Sequence, residues 1–147
     1  MKKKLIQKSI SIDAPAEVVW NVLQEDSLTR QWYAEFSPGT YAETDWKVGS
    51  KAIFVDHTKN GLISKVVESD PHRKLALEYT GVVTDGKEDY EGELASGMKG
   101  GMESYYLTEA NGGTALQVTC DMGEEMYESM SQAWDKAMDK IKALSEQ

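Results

Sequence analysis

The chain has 147 residues, of which 40% are hydrophobic and 28% are charged, a composition typical of one globular domain. We therefore predict a single domain over residues 1–147. The formal net charge of -9 would repel phosphate backbones and anionic lipid surfaces, so we expect no nucleic acid partner. No apolar run approaches the roughly 20 residues that span a bilayer, so we expect no membrane partner either.

The start of the chain and its cysteine content favour the cytoplasm. Lysines follow Met1, but Lys8 and Ser9 interrupt the sequence before the apolar stretch of roughly 7–15 residues that a signal peptide needs. The single cysteine, Cys120, cannot form an intramolecular disulfide, which fits a reducing compartment. We predict a cytoplasmic protein.

The first elements of the chain are a strand and a short helix. Residues 4–12 alternate between polar and mostly isoleucine positions, as a half-buried strand does. Asp13 is a candidate helix cap, and Pro15 falls in the first turn of a helix that carries Trp20 and Leu23 on its apolar face.

A second short helix is predicted directly after the first. It begins at Asp26 or Ser27 and runs through Trp32, and the segment Ser37-Pro38-Gly39 then forces a turn. The two helices therefore connect the first strand to the rest of the chain.

From Lys51 the apolar residues change to period two, which indicates strands. The first strand ends at a hairpin turn formed by Lys59-Asn60-Gly61, and its partner covers residues 62–69. A third strand lies around residues 75–79, after Asp70-Pro71. An antiparallel meander is the simplest topology for these strands.

The next stretch, residues 84–101, is acidic and rich in glycine and lacks strand periodicity, so we predict a long loop or lid. Two further strands, at residues 102–108 and 114–120, flank the segment 109–113, whose Asn-Gly-Gly sequence is typical of a hairpin turn.

The last element is predicted to be a long helix over residues 122–144. Asp121 and Glu124 have the spacing of a capping box at its start. Its apolar residues recur at intervals of three, four and seven and form one wide stripe that should lie against the sheet: Met126, Met130, Trp134, Ala137, Ile141 and Leu144.

This order of elements, together with several motifs, resembles the START-like helix-grip (SRPBCC) superfamily. Within it, the chain is most similar to bacterial relatives of the C-terminal domain of the activator of the ninety-kilodalton heat-shock chaperone ATPase. The residues that carry the resemblance span most of the chain: Ile12-Asp13-Ala14-Pro15, Trp20, Trp32, Ser69-Asp70-Pro71-His72-Arg73-Lys74-Leu75 and Trp134.

The resemblance implies an α+β fold in which a curved antiparallel sheet wraps around the long C-terminal helix, with two short helices after the first strand. It also implies that the space between sheet and helix holds an apolar ligand.

We expect such a cavity to be lined by the strand residues in phase with the concave face, by Trp32, and by the helix stripe. The candidate residues are Trp32, Phe54, Asp56, Leu77, Tyr79, Tyr105, Leu107, Val118, Cys120, Met126, Met130 and Trp134. Phenol hydroxyls among apolar walls can orient a small molecule by hydrogen bonds. The alternative is that these side chains fill the interior by packing on one another.

Groups suited to catalysis are few, and we assign no catalytic residue. His57 and His72 have no partner at ligand spacing, and with one cysteine we expect neither a metal site nor a cofactor. Cys120 is expected to be a small buried filler. If Asp56 points inward, desolvation should raise the pKa of its carboxyl towards the range of a general acid or base.

Three functions follow as hypotheses. The leading one is a small soluble protein that binds a hydrophobic or aromatic molecule between the sheet and the last helix, without a cofactor. The second is a protein-interaction module that acts on a chaperone. The third is an enzyme of the cyclase or aromatase type, with Asp56, Tyr79 or Tyr105 as acid–base groups.

The sequence is compatible with a monomer or a homodimer. Scattered aromatic residues expected at the surface, Tyr33, Tyr41 and Tyr90, are candidates for a dimer contact.

Overall fold

A computed structural model describes residues 2–147 and contains one antiparallel sheet covered by helices on one face. The strands are β1 (Lys3–Ile12), β2 (Tyr41–Glu43), β3 (Lys51–Val55), β4 (Gly61–Asp70), β5 (Lys74–Thr84), β6 (Lys87–Asp89), β7 (Met102–Ala110) and β8 (Gly113–Gly123). The helices are α1 (Ala16–Gln24), α2 (Asp26–Tyr33), α3 (Glu93–Met98) and α4 (Tyr127–Ser145).

The sheet has the spatial order β1-β8-β7-β5-β4-β3-β2, and β6 pairs with β5 beside this path. The meander predicted from the sequence is confirmed. Register shifts between β4 and β5, at Ile63/Ser64 and Val66/Glu68, are irregularities of the kind that bend a sheet. The concave face created by this curvature receives α4, so the predicted α+β helix-grip fold is confirmed.

The hairpin between β7 and β8 closes through Asn111 and Gly112, whose φ angles are 54° and 80°. A two-residue turn with both φ angles positive matches the right-handed twist of the strands, which is why the Asn-Gly sequence predicts it. Strand β8 also pairs with β1, and this pairing runs along the full length of β1.

Helix α4 buries one face, and the buried residues recur at helical spacing: Trp134, Ala137, Met138, Ile141, Leu144 and Ser145. It packs on β1, β8, α1 and α2. An ion pair of 2.8 Å between Lys8 on β1 and Asp135 on α4 lies beside this contact. The predicted stripe is therefore correct over the last three turns of the helix.

The predicted start of the last helix was wrong. Strand β8 continues to Gly123, which pairs with Lys3, and a short 3-10 turn at Glu124–Met126 precedes α4. Asp121 does not cap the helix, because its carboxylate accepts a hydrogen bond from the Met102 backbone N–H at 2.9 Å. Strand pairing with β1 has replaced the local helical preference.

The predicted cap of the first helix also differs. Pro15 occupies the N-cap position of α1, and no side chain caps this end. The backbone N–H of Asp13 instead donates to the Glu146 carboxylate at 2.7 Å, so Asp13 ties the start of α1 to the end of the chain.

Residues 84–101 are not a long loop. They contain the short strand β6, which pairs with β5, and α3, which buries Ala95 and Met98 against β5 and β8. The Asp89 carboxylate accepts the backbone N–H groups of Glu91 and Gly92 and so shapes the turn into α3. Three-residue strands and a six-residue helix are too short to produce visible periodicity, which is also why β2 was not predicted.

Within residues 2–147, no helix is both long enough and apolar enough to cross a lipid bilayer.

The backbones of β3 and β4 approach each other closely at Gly61. A methyl group at Gly61 would lie 1.7 Å from the Phe54 carbonyl oxygen. Gly61→Ala should therefore lower the free energy of unfolding by about 3 kcal/mol, because the strand backbones must move apart. Urea unfolding followed by circular dichroism measures the change.

Gly112→Ala is the control, because a methyl group there meets no atom within 4 Å and suffers only from the positive φ. It should cost about 1 kcal/mol. Equal losses in the two variants would contradict the close approach at Gly61.

Candidate functional site

A cavity of about 190 Å³ lies between the concave sheet, α2 and the first turns of α4. Its lining comes from α2 and the segment after it, the β3–β4 hairpin, strands β5, β7 and β8, and α4. The lining residues are Trp32, Tyr33, Phe36, Ser37, Thr40, Phe54, Asp56, Asn60, Gly61, Leu62, Tyr79, Glu103, Met122, Met130 and Trp134. Several of them keep some exposure, so the cavity is not sealed from solvent.

The aromatic wall of the cavity is anchored by Trp32. Its indole Nε1–H donates to the Val22 carbonyl of α1 at 2.9 Å, which fixes α2 against α1. The Trp32 ring then contacts Tyr33 and Trp134, with ring centroids 4.5 and 6.2 Å away. Because the polar end of the indole is satisfied by backbone, its apolar faces are free to form the wall.

Trp134 continues this aromatic wall from the helix side. Its ring centroid lies 4.8 Å from that of Phe36 and 6.0 Å from that of Tyr105. The ring is buried, but its indole Nε1 has no hydrogen-bond partner within ordinary distance.

The polar part of the interior is a carboxylate held by two phenols. Tyr79 donates its hydroxyl to Glu103 Oε1 at 2.6 Å, and Tyr105 donates to Oε2 of the same carboxylate. The Tyr79 hydroxyl also lies 3.2 Å from the Cys120 sulfur. Glu103 lines the cavity, so its remaining exposure faces the cavity space.

Burial affects the protonation of the Glu103 carboxyl and of its neighbours. It raises the pKa of Glu103 above its usual value, and hydrogen bonds from Tyr105 and Tyr79 partly offset the rise. Burial, followed by the nearby Glu103 charge, raises the pKa of Tyr79 and Tyr105 well above the usual value for a phenol. The same two causes raise the pKa of the Cys120 thiol, so this cysteine is a protonated, unreactive thiol at neutral pH.

Asp56 does not have the raised pKa expected for an aspartate that points inward and is desolvated. Hydrogen bonds from the Thr58 hydroxyl, the Ser37 hydroxyl and backbone N–H groups hold the pKa of Asp56 well below its usual range. These donors outweigh desolvation. Asp56 is thus an ionised residue that organises the β3–β4 turn and borders the cavity.

The structure brings together half of the residues predicted for the cavity. Trp32, Phe54, Asp56, Tyr79, Met130 and Trp134 line it. The other strand residues of the prediction, Leu77, Tyr105, Leu107, Val118 and Cys120, are buried in the surrounding core. Met126 lies in the 3-10 turn with 43% of its surface exposed, outside the lining, because the stripe there precedes the start of α4.

Several lining residues were not predicted from the sequence, and Glu103 is the most informative of them. It lies two residues before Tyr105 on β7 and therefore shares its face, so strand alternation alone could have identified it. Tyr33, expected at the surface, is buried and belongs to the aromatic wall. Ser37, Thr40 and Asn60 have no periodic signal because they lie in turns.

Neither histidine belongs to the lining of the cavity. The His57 ring lies 2.8 Å from the Pro38 carbonyl, and His72 packs edge-on against Trp20 in a turn. Across residues 2–147, no three histidine, cysteine or acidic side chains are grouped so that they could hold a metal ion.

Comparison with known proteins identifies the family. The sequence model of the family described as "Activator of Hsp90 ATPase homolog 1-like protein" matches residues 13–146. The chain belongs to this family. The resemblance inferred from the sequence is thereby confirmed. A search of curated proteins finds no match to this member of the family.

Solved structures similar to this chain share its fold at low sequence identity. MLL2253 from Mesorhizobium loti aligns with a TM-score of 0.72 and 16% identity, covering 96% of each chain. The Aha1 dimer from Colwellia psychrerythraea aligns with a TM-score of 0.70 and 17% identity, covering 97% of this chain and 96% of that one. DynU16, from the dynemicin biosynthetic locus, gives 0.70 and 13%, covering 95% of this chain and 46% of that one.

The raised pKa of Glu103 predicts how its contribution to stability changes with pH. A carboxyl with a higher pKa in the folded state binds more protons when folded, so its contribution is full below the unfolded pKa of about 4.3 and is lost as pH rises through the folded pKa. The difference in unfolding free energy between wild type and Glu103→Gln should therefore fall as pH increases from about 4 to 8.

Urea unfolding of both proteins at each pH measures this difference. Carboxyls with lowered pKa, such as Asp56 and Glu88, are present in both proteins and cancel. Glu109→Gln, at an exposed position on the same strand, should show a nearly constant difference. If the difference in unfolding free energy for Glu103→Gln is constant or rises with pH, the pKa of the Glu103 carboxyl is not raised by burial.

Proposed function

We propose that this family member binds a small hydrophobic or aromatic molecule in the cavity between the sheet, α2 and α4. The observation that carries the proposal is the lining, in which six of fifteen residues are aromatic: Trp32, Tyr33, Phe36, Phe54, Tyr79 and Trp134. Ligand sites are typically apolar cavities with a few convergent polar groups, and Glu103 and the Ser37–Asp56 pair are such groups here.

The size of the cavity limits the ligand. An apolar cavity of about 150 Å³ in another protein accommodates benzene. A volume of about 190 Å³ therefore suits a molecule of about one ring with a short substituent, and is below the range of about 300–1,000 Å³ typical of drug-sized ligands. A larger ligand would need α4 or the segment after α2 to move.

The same geometry weighs against the enzyme hypothesis based on Asp56, Tyr79 and Tyr105. The Asp56 carboxylate is held ionised by its hydrogen bonds, and both phenols are held protonated, so none titrates near neutral pH. These groups are better suited to orienting a bound molecule than to transferring protons.

Every residue of this lining belongs to one chain, so we propose that a single chain is sufficient to bind the ligand. We propose that it operates in the cytoplasm, where the one cysteine, buried and unpaired, would remain reduced. Structures such as DynU16 support only the shared fold, because their sequence identity to this chain is low.

Filling the cavity should abolish binding. Met130 is half-buried and lines the cavity, so Met130→Trp should place an indole in the ligand space. A neutral one-ring probe, benzyl alcohol, at 100 times its dissociation constant should stabilise the wild-type protein by about 2.7 kcal/mol and the variant by much less. Thermal and urea unfolding with and without the probe measure this.

Met126→Trp is the matched control. It makes the same change one turn earlier, at a residue that is 43% exposed and outside the lining, so it should bind the probe as wild type does. An equal response from all three proteins would place binding elsewhere, and no saturable response from wild type would overturn the proposed function.

A further inference from the structure

The charged groups of the cavity all have the same sign. Two carboxylates, Asp56 and Glu103, line it, and no lysine, arginine or histidine is among the lining residues of the described chain. Ion pairs elsewhere in residues 2–147 involve neither of these carboxylates. A cavity with negative charge and no built-in counterion disfavours anions.

The two carboxylates differ in how many further hydrogen bonds they can accept. Asp56 already accepts hydrogen bonds from the Ser37 hydroxyl and from groups of Thr58 and Asn60 in its own turn. Each oxygen of Glu103 accepts a single phenol hydroxyl, from Tyr79 or Tyr105. Because a carboxylate has about four acceptor positions, Glu103 retains unused ones beside the cavity.

A buried carboxylate without a cationic partner is costly, and two neutral phenols compensate it only in part. An apolar residue at this position would avoid the cost. Leu107, further along the same face of β7, is such a residue. A cation bound in the cavity would supply the missing opposite charge.

The aromatic walls favour the same class of ligand. The negative face of an aromatic ring attracts a cation, most strongly for tryptophan and in sites shielded from water. The Trp32 and Trp134 rings contact each other with centroids 6.2 Å apart, and Phe36 and Phe54 extend this aromatic wall. Rings and a free carboxylate acceptor therefore surround one space of about 190 Å³.

We propose that the cavity selects a small organic cation, an ammonium group on an apolar body of about one ring. Its N–H group donates to the free acceptor positions of Glu103, and its apolar body lies against Trp32 and Trp134. This inference rests on the proposed function, because it names the ligand class of the same cavity.

Three probes of equal ring size and different charge test the inference: benzylammonium, benzyl alcohol and benzoate. Isothermal titration calorimetry at neutral pH should give benzylammonium an affinity about tenfold or more above that of benzyl alcohol, since a hydrogen bond between two charged groups is stronger than one with a neutral donor. Benzoate should bind more weakly than benzyl alcohol.

Glu103→Gln identifies the group responsible. It should lower the affinity for benzylammonium by about tenfold and that for benzyl alcohol by a smaller factor, because the amide oxygen still accepts a hydrogen bond from a neutral donor. Glu109→Gln removes the same charge from an exposed position on β7 and should leave both affinities as in wild type. The comparison of probes on the wild-type protein decides the question even if Glu103→Gln does not fold.

The outcomes separate the two proposals. Benzyl alcohol binding as tightly as benzylammonium, or benzylammonium binding equally to Glu103→Gln, would overturn the preference for a cation and leave the proposed function standing. Failure of all three probes to bind the wild-type protein would overturn both.

Discussion

The burial of one face of α4 against the concave sheet is the constraint on which the rest of the structure depends. Ile141 and Ala137 are fully buried, Trp134 is nearly so, Met130 is half-buried, and Met126 in the preceding turn is exposed. Burial therefore decreases from the end of the helix to its beginning. The helix is held tightly at one end, and the gap at its other end is the cavity.

Large aromatic rings border this gap. Trp134 rests on Phe36, Trp32 and Tyr105, and Trp32 is fixed in turn by its hydrogen bond to the Val22 carbonyl. The rings meet edge to face or tilted, in the offset arrangements that aromatic side chains prefer. The same contacts that hold the helix on the sheet thus form the wall of the cavity.

The polar groups inside this apolar region form two hydrogen-bonded clusters. Tyr79 and Tyr105 share the Glu103 carboxylate, and Ser37 and Thr58 share that of Asp56. Fully buried phenols with raised pKa values and an aspartate with a lowered one keep fixed protonation states at neutral pH. Such groups present constant hydrogen-bonding positions, which is what selective recognition requires.

Much of the architecture could be predicted from local pattern. Strand alternation identified the core faces of β1, β7 and β8, and the Asn-Gly turn fixed the hairpin that sets their register. The prediction failed where elements are too short for periodicity, as in β6 and α3, and where pairing with a distant strand decided the end of β8.

The candidate site was less predictable because its members come from distant parts of the chain. Strand alternation placed Tyr79 and Tyr105 inside, and the same alternation extends to Glu103, which was not selected. The raised pKa considered for Asp56 depended on its burial among apolar residues, which the sequence alone could not establish. The Thr58 hydroxyl, two residues away, and the Ser37 hydroxyl, 19 residues away in sequence, both donate to Asp56 and lower its pKa. The Ser37 contact has no local signal in the sequence.

The sequence by itself determined the sheet, the amphipathic last helix and the family, because these depend on periodicity and turn residues that act over a few positions. Only the tertiary structure decided that a cavity remains beside Trp134, that Met126 lies outside it, and that Glu103, a carboxylate shared by two phenols, belongs to its lining. Cavity volume and protonation depend on how separate elements meet in space, and that meeting is set by the packing of the whole core.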